Sequence, residues 1–423
     1  MTATPNTDTL PMAEEPPPYR RITYARSVHD QAEIDAVVDV LSSGNQGLRI
    51  GKNVAEMERR IAELSGKRLG LMCNSGSSAL YLAVELLDLP AGSEVITSPL
   101  TFSTDVAPLA RAGLVPVFVD VEPDTYNIDV SRIPEMITDR TKAVLIPNLA
   151  GNAPDWDEIR AIADRHGLAV IEDNCDALGA TLRGTPTGSR ADLSVTSFAM
   201  AHIITCAGNG GMVLTDDEAL RDKGLMLRRW GRRSEPHLYG SKPGGRVFRE
   251  ELDGVPYDND FIFDVLSWNF EPSELGAAFG LVQLDRLQEN YRRRAATFDA
   301  YSSAFGSYPE LFSLPRQLQD LTTAWLCYPV TIAENAGFTR SDLQESIEAA
   351  GIDTRTVWSG NVTRHPMMNS VQHRIPPTGL PVADAVFARG MSLGMSHGMD
   401  DDEVGHVVDS IHRFARSIGH GAP

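Results

Sequence analysis

From Leu69 to Phe198 the chain alternates short apolar runs with helical stretches, and this rhythm narrows its folds more than any other feature. Leu69–Cys73, Glu94–Ser98, Val115–Val121, Lys142–Pro147, Leu168–Asp173 and Asp192–Phe198 read as strands, with helices such as Asp155–His166 between several of them. Alternation of this kind predicts an α/β fold, a mostly parallel sheet covered on both faces. Ligands of such sheets bind beyond the carboxyl ends of the strands. Upstream, Val54, Met57, Ile61 and Leu64 recur at helical spacing, and Gly66 stands where a C-terminal cap belongs.

The rhythm changes near Asn290. An Arg-rich helix from Leu284 to about Phe305 leads into a segment with fewer strands, among them Cys327–Ile332 and Thr354–Trp358. The chain closes with a helix whose Val404, Val407, Val408, Ile411 and Phe414 share one face. The expected organisation is a disordered, Pro-rich tail at 1–19, a large domain with an N-terminal arm at 20–285, and a smaller α+β domain at 286–423.

Charge narrows the partners. Acidic residues outnumber basic ones, 57 to 38, for a formal net charge of −19. Bulk electrostatics therefore disfavours nucleic acid and anionic membranes, although one local site can still take a phosphate. The four cysteines, Cys73, Cys175, Cys206 and Cys327, include no CxxC pair, which argues against a zinc ribbon or a disulfide scaffold; no metal site is expected. Neither a signal-type apolar segment nor a membrane-length apolar run is present, so a soluble, cytoplasmic protein is expected.

Three segments carry chemistry. Asn74-Ser75-Gly76-Ser77-Ser78-Ala79-Leu80 joins a strand to an apolar helix, an arrangement that suits a phosphate and equally suits a plain serine-capped turn. Asp173 ends a strand, where a carboxylate can face a protonated ring nitrogen, cap a helix or pair with a cation. After Ser197-Phe198 comes His202, then Gly208, Gly210 and Gly211, whose spacing implies positive φ or a close backbone approach.

The ordered set of Asn-Ser-Gly-Ser-Ser-Ala-Leu at 74–80, Pro-Leu-Thr-Phe at 99–102, Ile-Glu-Asp at 171–173, Ser-Phe at 197–198, Gly-Gly at 210–211, Trp-Asn-Phe at 268–270 and Ala-Phe-Gly-Leu at 278–281 resembles the DegT/DnrJ/EryC1/StrS family of sugar aminotransferases. The resemblance spans about residues 25 to 415. It implies the fold type I architecture of pyridoxal 5′-phosphate enzymes, with a mostly parallel seven-stranded sheet, and a homodimer. It also implies roles: Gly76, Ser77 and Ser197 on the cofactor phosphate, Phe102 stacked on the pyridine ring, and Asp173 on the ring nitrogen. Asp176 falls at a cofactor-site position that is usually Gln, and Asn269 would reach the phosphate of the neighbouring subunit.

One departure redirects the chemistry. The family's aminotransferases carry a cofactor-bearing lysine five residues after the Ser of the Ser-Phe pair, and this chain has His202 there. Its lysines are Lys52, Lys67, Lys142, Lys223 and Lys242, so none lies between 143 and 222. Imidazole cannot form the lysine's covalent link, yet its unperturbed pKa of ~6.5 suits proton transfer. The His-for-Lys change resembles the pyridoxamine 5′-phosphate-dependent NDP-4-keto-6-deoxyhexose 3-dehydratases. So do the loop Glu172–Gly179 and the stretch Ser359-Gly360-Asn361-Val362-Thr363-Arg364, which brings in Asn361 and Arg364 as substrate residues.

Only Cys175 matches the four-cysteine set of that branch's iron–sulfur members, which argues against a cluster here. Asn209, where Glu is usual, and Glu271, after Asn269-Phe270, are further departures. The expected activity is a C3 dehydration of a nucleotide-linked keto sugar with His202 as base, completed by hydrolysis or by a reductase partner. The alternatives are another reaction on a nucleotide sugar or aminocyclitol, and an inactive scaffold paralogue.

Overall fold

Seven strands build the main sheet of the computed structural model: β1 (Leu69–Cys73), β2 (Glu94–Thr97), β3 (Val115–Phe118), β4 (Thr141–Pro147), β5 (Ala169–Asp173), β6 (Leu193–Ser197) and β7 (Gly211–Thr215). The structure describes residues 21–44, 47–242 and 250–420, so the tail expected at 1–19 lies outside the described residues. The sheet order is β1-β7-β6-β5-β4-β2-β3. β7 runs antiparallel to β1 and β6, and the other pairings are parallel. All six strands read from the sequence are present within a few residues of their expected ends, and β7 is the addition.

The sheet is covered on both faces. Among the described residues eight longer helices come first: α1 (Gln31–Ser42), α2 (Lys52–Leu64), α3 (Gly76–Leu87), α4 (Ser103–Arg111), α5 (Trp156–His166), α6 (Glu218–Arg228), α7 (Glu274–Asp285) and α8 (Leu287–Gly306). Successive strand residues point to opposite faces. Leu145, Ile171 and Val195 therefore bury against Leu80 of α3, Leu109 of α4 and Leu225 of α6. Val144, Ile146 and Val170 bury against Trp156, Ile159 and Ile162 of α5. Double burial explains why these strands read as continuous apolar runs rather than alternating ones.

The expected single helix from Leu284 is two. Arg286, at φ −97° and ψ 1°, ends α7 and starts α8, so the Arg-rich stretch lies on α8 alone. A second, antiparallel sheet follows, of β8 (Phe312–Ser313), β9 (Cys327–Ile332), β10 (Thr354–Thr356) and β11 (Gly390–Gly394), in the order β8-β9-β11-β10. Its strand at 354 stops two residues short of the expected Trp358, where φ is +43°. Tyr301 and Phe305 of α8, Tyr328 and Val330 of β9, and Ile411 and Phe414 of α11 share its core, with α9 (Arg340–Ala349), α10 (Pro381–Arg389) and α11 (Asp401–Ser417) completing the helices.

Two joints fix the second sheet's loops over the first sheet's carboxyl edge. Asp120, just past β3, caps α10 by accepting from the amides of Val382 (2.9 Å) and Ala383 (3.0 Å). Ser359 donates to the Thr101 carbonyl at 2.6 Å, and the Val362 amide to that of Pro99 at 2.8 Å. Among the described residues no helix is long and apolar enough to cross a membrane.

Candidate active site

At the carboxyl edge the ends of β1 and β6 and the start of β7 meet in register, Cys73 opposite Gly211 and Gly211 opposite Ser197. Ser75 caps α3, its hydroxyl oxygen accepting from the Ser78 amide at 3.1 Å. The amides of Gly76 and Ser77 thus open a helix whose dipole favours an anion. Glycine is required here by contact: a Cβ on Gly76 would lie 2.5 Å from the Ser197 Cβ, and one on Gly211 2.3 Å from the Ser75 carbonyl. Gly208 and Gly210 have φ of +99° and +149°, as their spacing implied.

A cavity of about 680 Å³ opens from this cradle and is lined by Gly76, Ser77, Phe102, Asp173, Asp176, Ser197 and His202. Seven sequence-singled positions thus converge from four separate elements. Phe102, at the N-terminus of α4, keeps 58% of its surface exposed. Asp173 ends β5, and its Oδ1 accepts from the Cys175 amide at 3.0 Å. His202 lies on the irregular turn after β6, its amide donating to the Ala199 carbonyl at 3.1 Å, and its Nδ1 is 3.7 Å from Asp176 Oδ1.

The acids and the imidazole are tuned in opposite directions. Burial, with Arg294 nearby, lowers the His202 pKa to about 4, so the ring is neutral at pH 7. Burial and the neighbouring Asp173 raise Asp176 to about 8. Burial also raises Asp173. His202 Nδ1 is buried without a hydrogen bond. A phosphate cradle, an acid for a ring nitrogen, an aromatic wall and an imidazole with a free Nδ1 fit a pyridoxal-type cofactor.

Three expected residues stand apart from the cavity lining. Asn269 is exposed, and its Oδ1 caps the Glu271 amide at 2.9 Å. Asn361 is buried: its Nδ2 donates to Asp384 at 2.8 Å while its Oδ1 accepts from Thr363. Arg364 pairs with the same Asp384, its Nε 2.9 Å from Oδ1. These two hold the loop that carries Ser359 and His365 to the cavity wall. Of the two departures, Asn209 lines the cavity, and Glu271 lies 3.4 Å from Arg229.

Sequence reasoning missed Asp105 and Arg294, which also line the cavity. Arg294 is 3% exposed, and its Nη1 donates to the carbonyls of Trp325, Leu326 and Met395. An arginine inside an Arg-rich helix gives no sign of which guanidinium turns inward. Among the described residues no group of three or more His, Cys, Asp or Glu is arranged to hold a metal ion.

Comparison with known proteins agrees with this layout. The model of the DegT/DnrJ/EryC1/StrS aminotransferase family matches residues 28–412. A dTDP-4-dehydro-2,6-dideoxy-D-glucose 3-dehydratase of Saccharopolyspora spinosa is 36% identical over 394 residues, covering 90% of this chain and 84% of its own. Among solved structures, E. coli GDP-4-keto-6-deoxy-D-mannose-3-dehydratase with bound hydrated PLP superposes with a TM-score of 0.83 at 26% identity, over 92% of this chain and 99% of that one. An aminotransferase from Psychrobacter cryohalolentis gives 0.83 at 28% identity, over 93% and 98%. The chain has the fold type I architecture and belongs to the DegT/DnrJ/EryC1/StrS family, in which it resembles the 3-dehydratases.

Proposed function

We propose that the chain is a pyridoxamine or pyridoxal 5′-phosphate-dependent dehydratase that removes the C3 oxygen of a nucleotide-linked 4-keto-6-deoxyhexose. The observation that carries this reading is His202: a largely buried imidazole, neutral at pH 7, in the same cavity as Asp173 and the α3 N-terminus. The amides of Gly76 and Ser77 with the Ser197 hydroxyl hold the cofactor phosphate, Phe102 covers the ring, and Asp173 takes the ring nitrogen. When bound, the cofactor supplies an electron sink for the sugar carbons. His202 accepts a proton at its imidazole and returns one to the departing C3 hydroxyl oxygen. Asp176 faces His202 and steadies it, and Asn361 and Arg364 act through the loop they hold.

Transamination needs a lysine amine at this point, and among the described residues no lysine lines the cavity. The relatives' names supply the substrates to try, dTDP- and GDP-linked 4-keto sugars. The reading includes a cytoplasmic homodimer in which Asn269 reaches the neighbouring subunit's phosphate site, no iron–sulfur cluster, and hydrolysis or a partner reductase to finish the deoxygenation. In support of the dimer, Phe261, Phe263, Leu266 and Trp268, just ahead of Asn269, are all more than half exposed. We also divide the chain at about residue 285, where α7 ends, into large and small domains.

The test is mass spectrometry of the product together with the variant His202→Asn. Wild type should release a sugar lacking the C3 oxygen. The variant should bind pyridoxamine phosphate nearly as well and lose ~10²–10⁴ in rate. A product that retains the C3 oxygen would overturn the assignment.

A further inference from the structure

Asp105 is the one acid of the cavity with no part in the reading above. It is the third residue of α4, 1% exposed, and it lines the cavity with Asp173 and Asp176. Its two oxygens differ. Oδ2 accepts the Thr101 hydroxyl hydrogen. Oδ1 is buried with no conventional donor, and the Asp105 carboxyl meets that of Asp173 within hydrogen-bond reach.

Two buried carboxylates in contact cannot both ionise at modest cost, so such a pair shares a proton. The groups facing Asp105 are Asp173, Asp176 and Cys175 from the β5 loop, and Thr101 from the loop before α4. Among the described residues the only ion-pair contact of the three acids is that of Asp176 with His202. Among the described residues no basic side chain pairs with Asp105. Burial and Asp173 accordingly hold its pKa well above the carboxylate range.

We propose that Asp105 stays protonated and donates its Oδ1 hydrogen to Asp173, so that a two-carboxyl unit with one negative charge faces the cofactor's ring nitrogen. The inference rests on the reading that Asp173 takes that nitrogen, and it makes Asp105 a positioning residue rather than a catalytic one. A neutral donor behind Asp173 fixes the orientation of its carboxylate. It also limits the site to one charge, matching one pyridinium.

The experiment titrates ¹⁵N-labelled pyridoxamine 5′-phosphate into wild type, Asp105→Asn and Asp105→Ala between pH 6 and 9, reading affinity and the ring-nitrogen chemical shift. An amide keeps a donor and removes the ionisable proton. Asp105→Asn should therefore match wild type within about threefold, with the ring-nitrogen shift flat across the range. Asp105→Ala should bind about ten- to a hundredfold more weakly, the scale of one lost hydrogen bond to a charged group, with a displaced shift. If Asp105→Asn is as impaired as Asp105→Ala, the charge of Asp105 matters and the proposal is wrong. If all three behave alike, Asp105 is a bystander and the proposal is equally wrong. Should wild type itself take up no cofactor, the proposed function falls and carries this inference with it. That result is separable from the first two, in which wild type binds.

Discussion

His202 and Asp176 face each other across 3.7 Å, and burial moves their proton affinities in opposite directions, one to about 4 and the other to about 8. The two have opposite effects on stability. Lowered His202 weakens the fold as pH falls from its unfolded value of ~6.5 towards 4, because the unfolded chain then binds the extra proton. Raised Asp176 weakens it as pH rises from ~4 to 8, because the unfolded chain has already released its proton. Between pH 6.5 and 8 the imidazole is neutral in both states and the raised acids act, Asp176 among them, so cofactor-free protein should lose stability across that window. Asp176→Asn should remove its own share of the loss, stabilising by about 1–2 kcal/mol more at pH 8 than at pH 6.5, while the other raised acids, Asp105 and Asp173, keep theirs. Urea melts at the two pH values measure this, and an equal gain at both would show that Asp176 ionises freely. Asp173 was legible because it ends a strand, and His202 because the family resemblance sets its place five residues after Ser197. Asp105 was not, since its contact with Asp173 joins residues from two different crossovers.

At the scale of elements, three backbone segments touch at the cradle. Gly211 of β7 lies against the Ser75 carbonyl and Gly76 against Ser197, with no room for a methyl at either point. Gly211→Ala should cost about 1–3 kcal/mol by overpacking and should weaken binding of phosphate-bearing ligands more than of pyridoxamine without its phosphate. Denaturant melts and calorimetric titration separate the two effects, and equal weakening of both ligands would place the damage outside the phosphate cradle. The glycine spacing announced this crowding before the fold was known. The strands were equally legible, because burial on both faces makes them continuous apolar runs. The break at Arg286 was not, since residues 284–305 hold neither a glycine nor a proline to mark it. Nor did the motif Gly360-Asn361-Val362-Thr363-Arg364 show that Asn361 and Arg364 bond to Asp384 rather than face the cavity.

For the whole molecule, the exposed apolar segment through Leu266, which is 98% accessible, is where the proposed dimer should be most sensitive. Light scattering of wild type should give twice the chain mass. Leu266→Asp should shift it towards the monomer and weaken cofactor binding, because Asn269 would no longer reach across. A wild-type monomer that binds cofactor at full strength would refute this arrangement. The reversed direction of β7 has a wider consequence. The connections from β1 to β2, β2 to β3 and β4 to β5 leave this edge through a helix and return to the opposite end of the sheet, so a change there has to be accommodated through the body of the protein. The stretch from Phe198 to Gly210 instead leaves and re-enters at the same edge, clamped where Ser197 pairs with Gly211 and where the Phe198 amide meets the Gly210 carbonyl at 2.8 Å. Position 202 sits inside that clamp. Exchange of one reactive side chain for another there leaves the scaffold's folding problem unchanged, so one architecture can host an amine or an imidazole at that position.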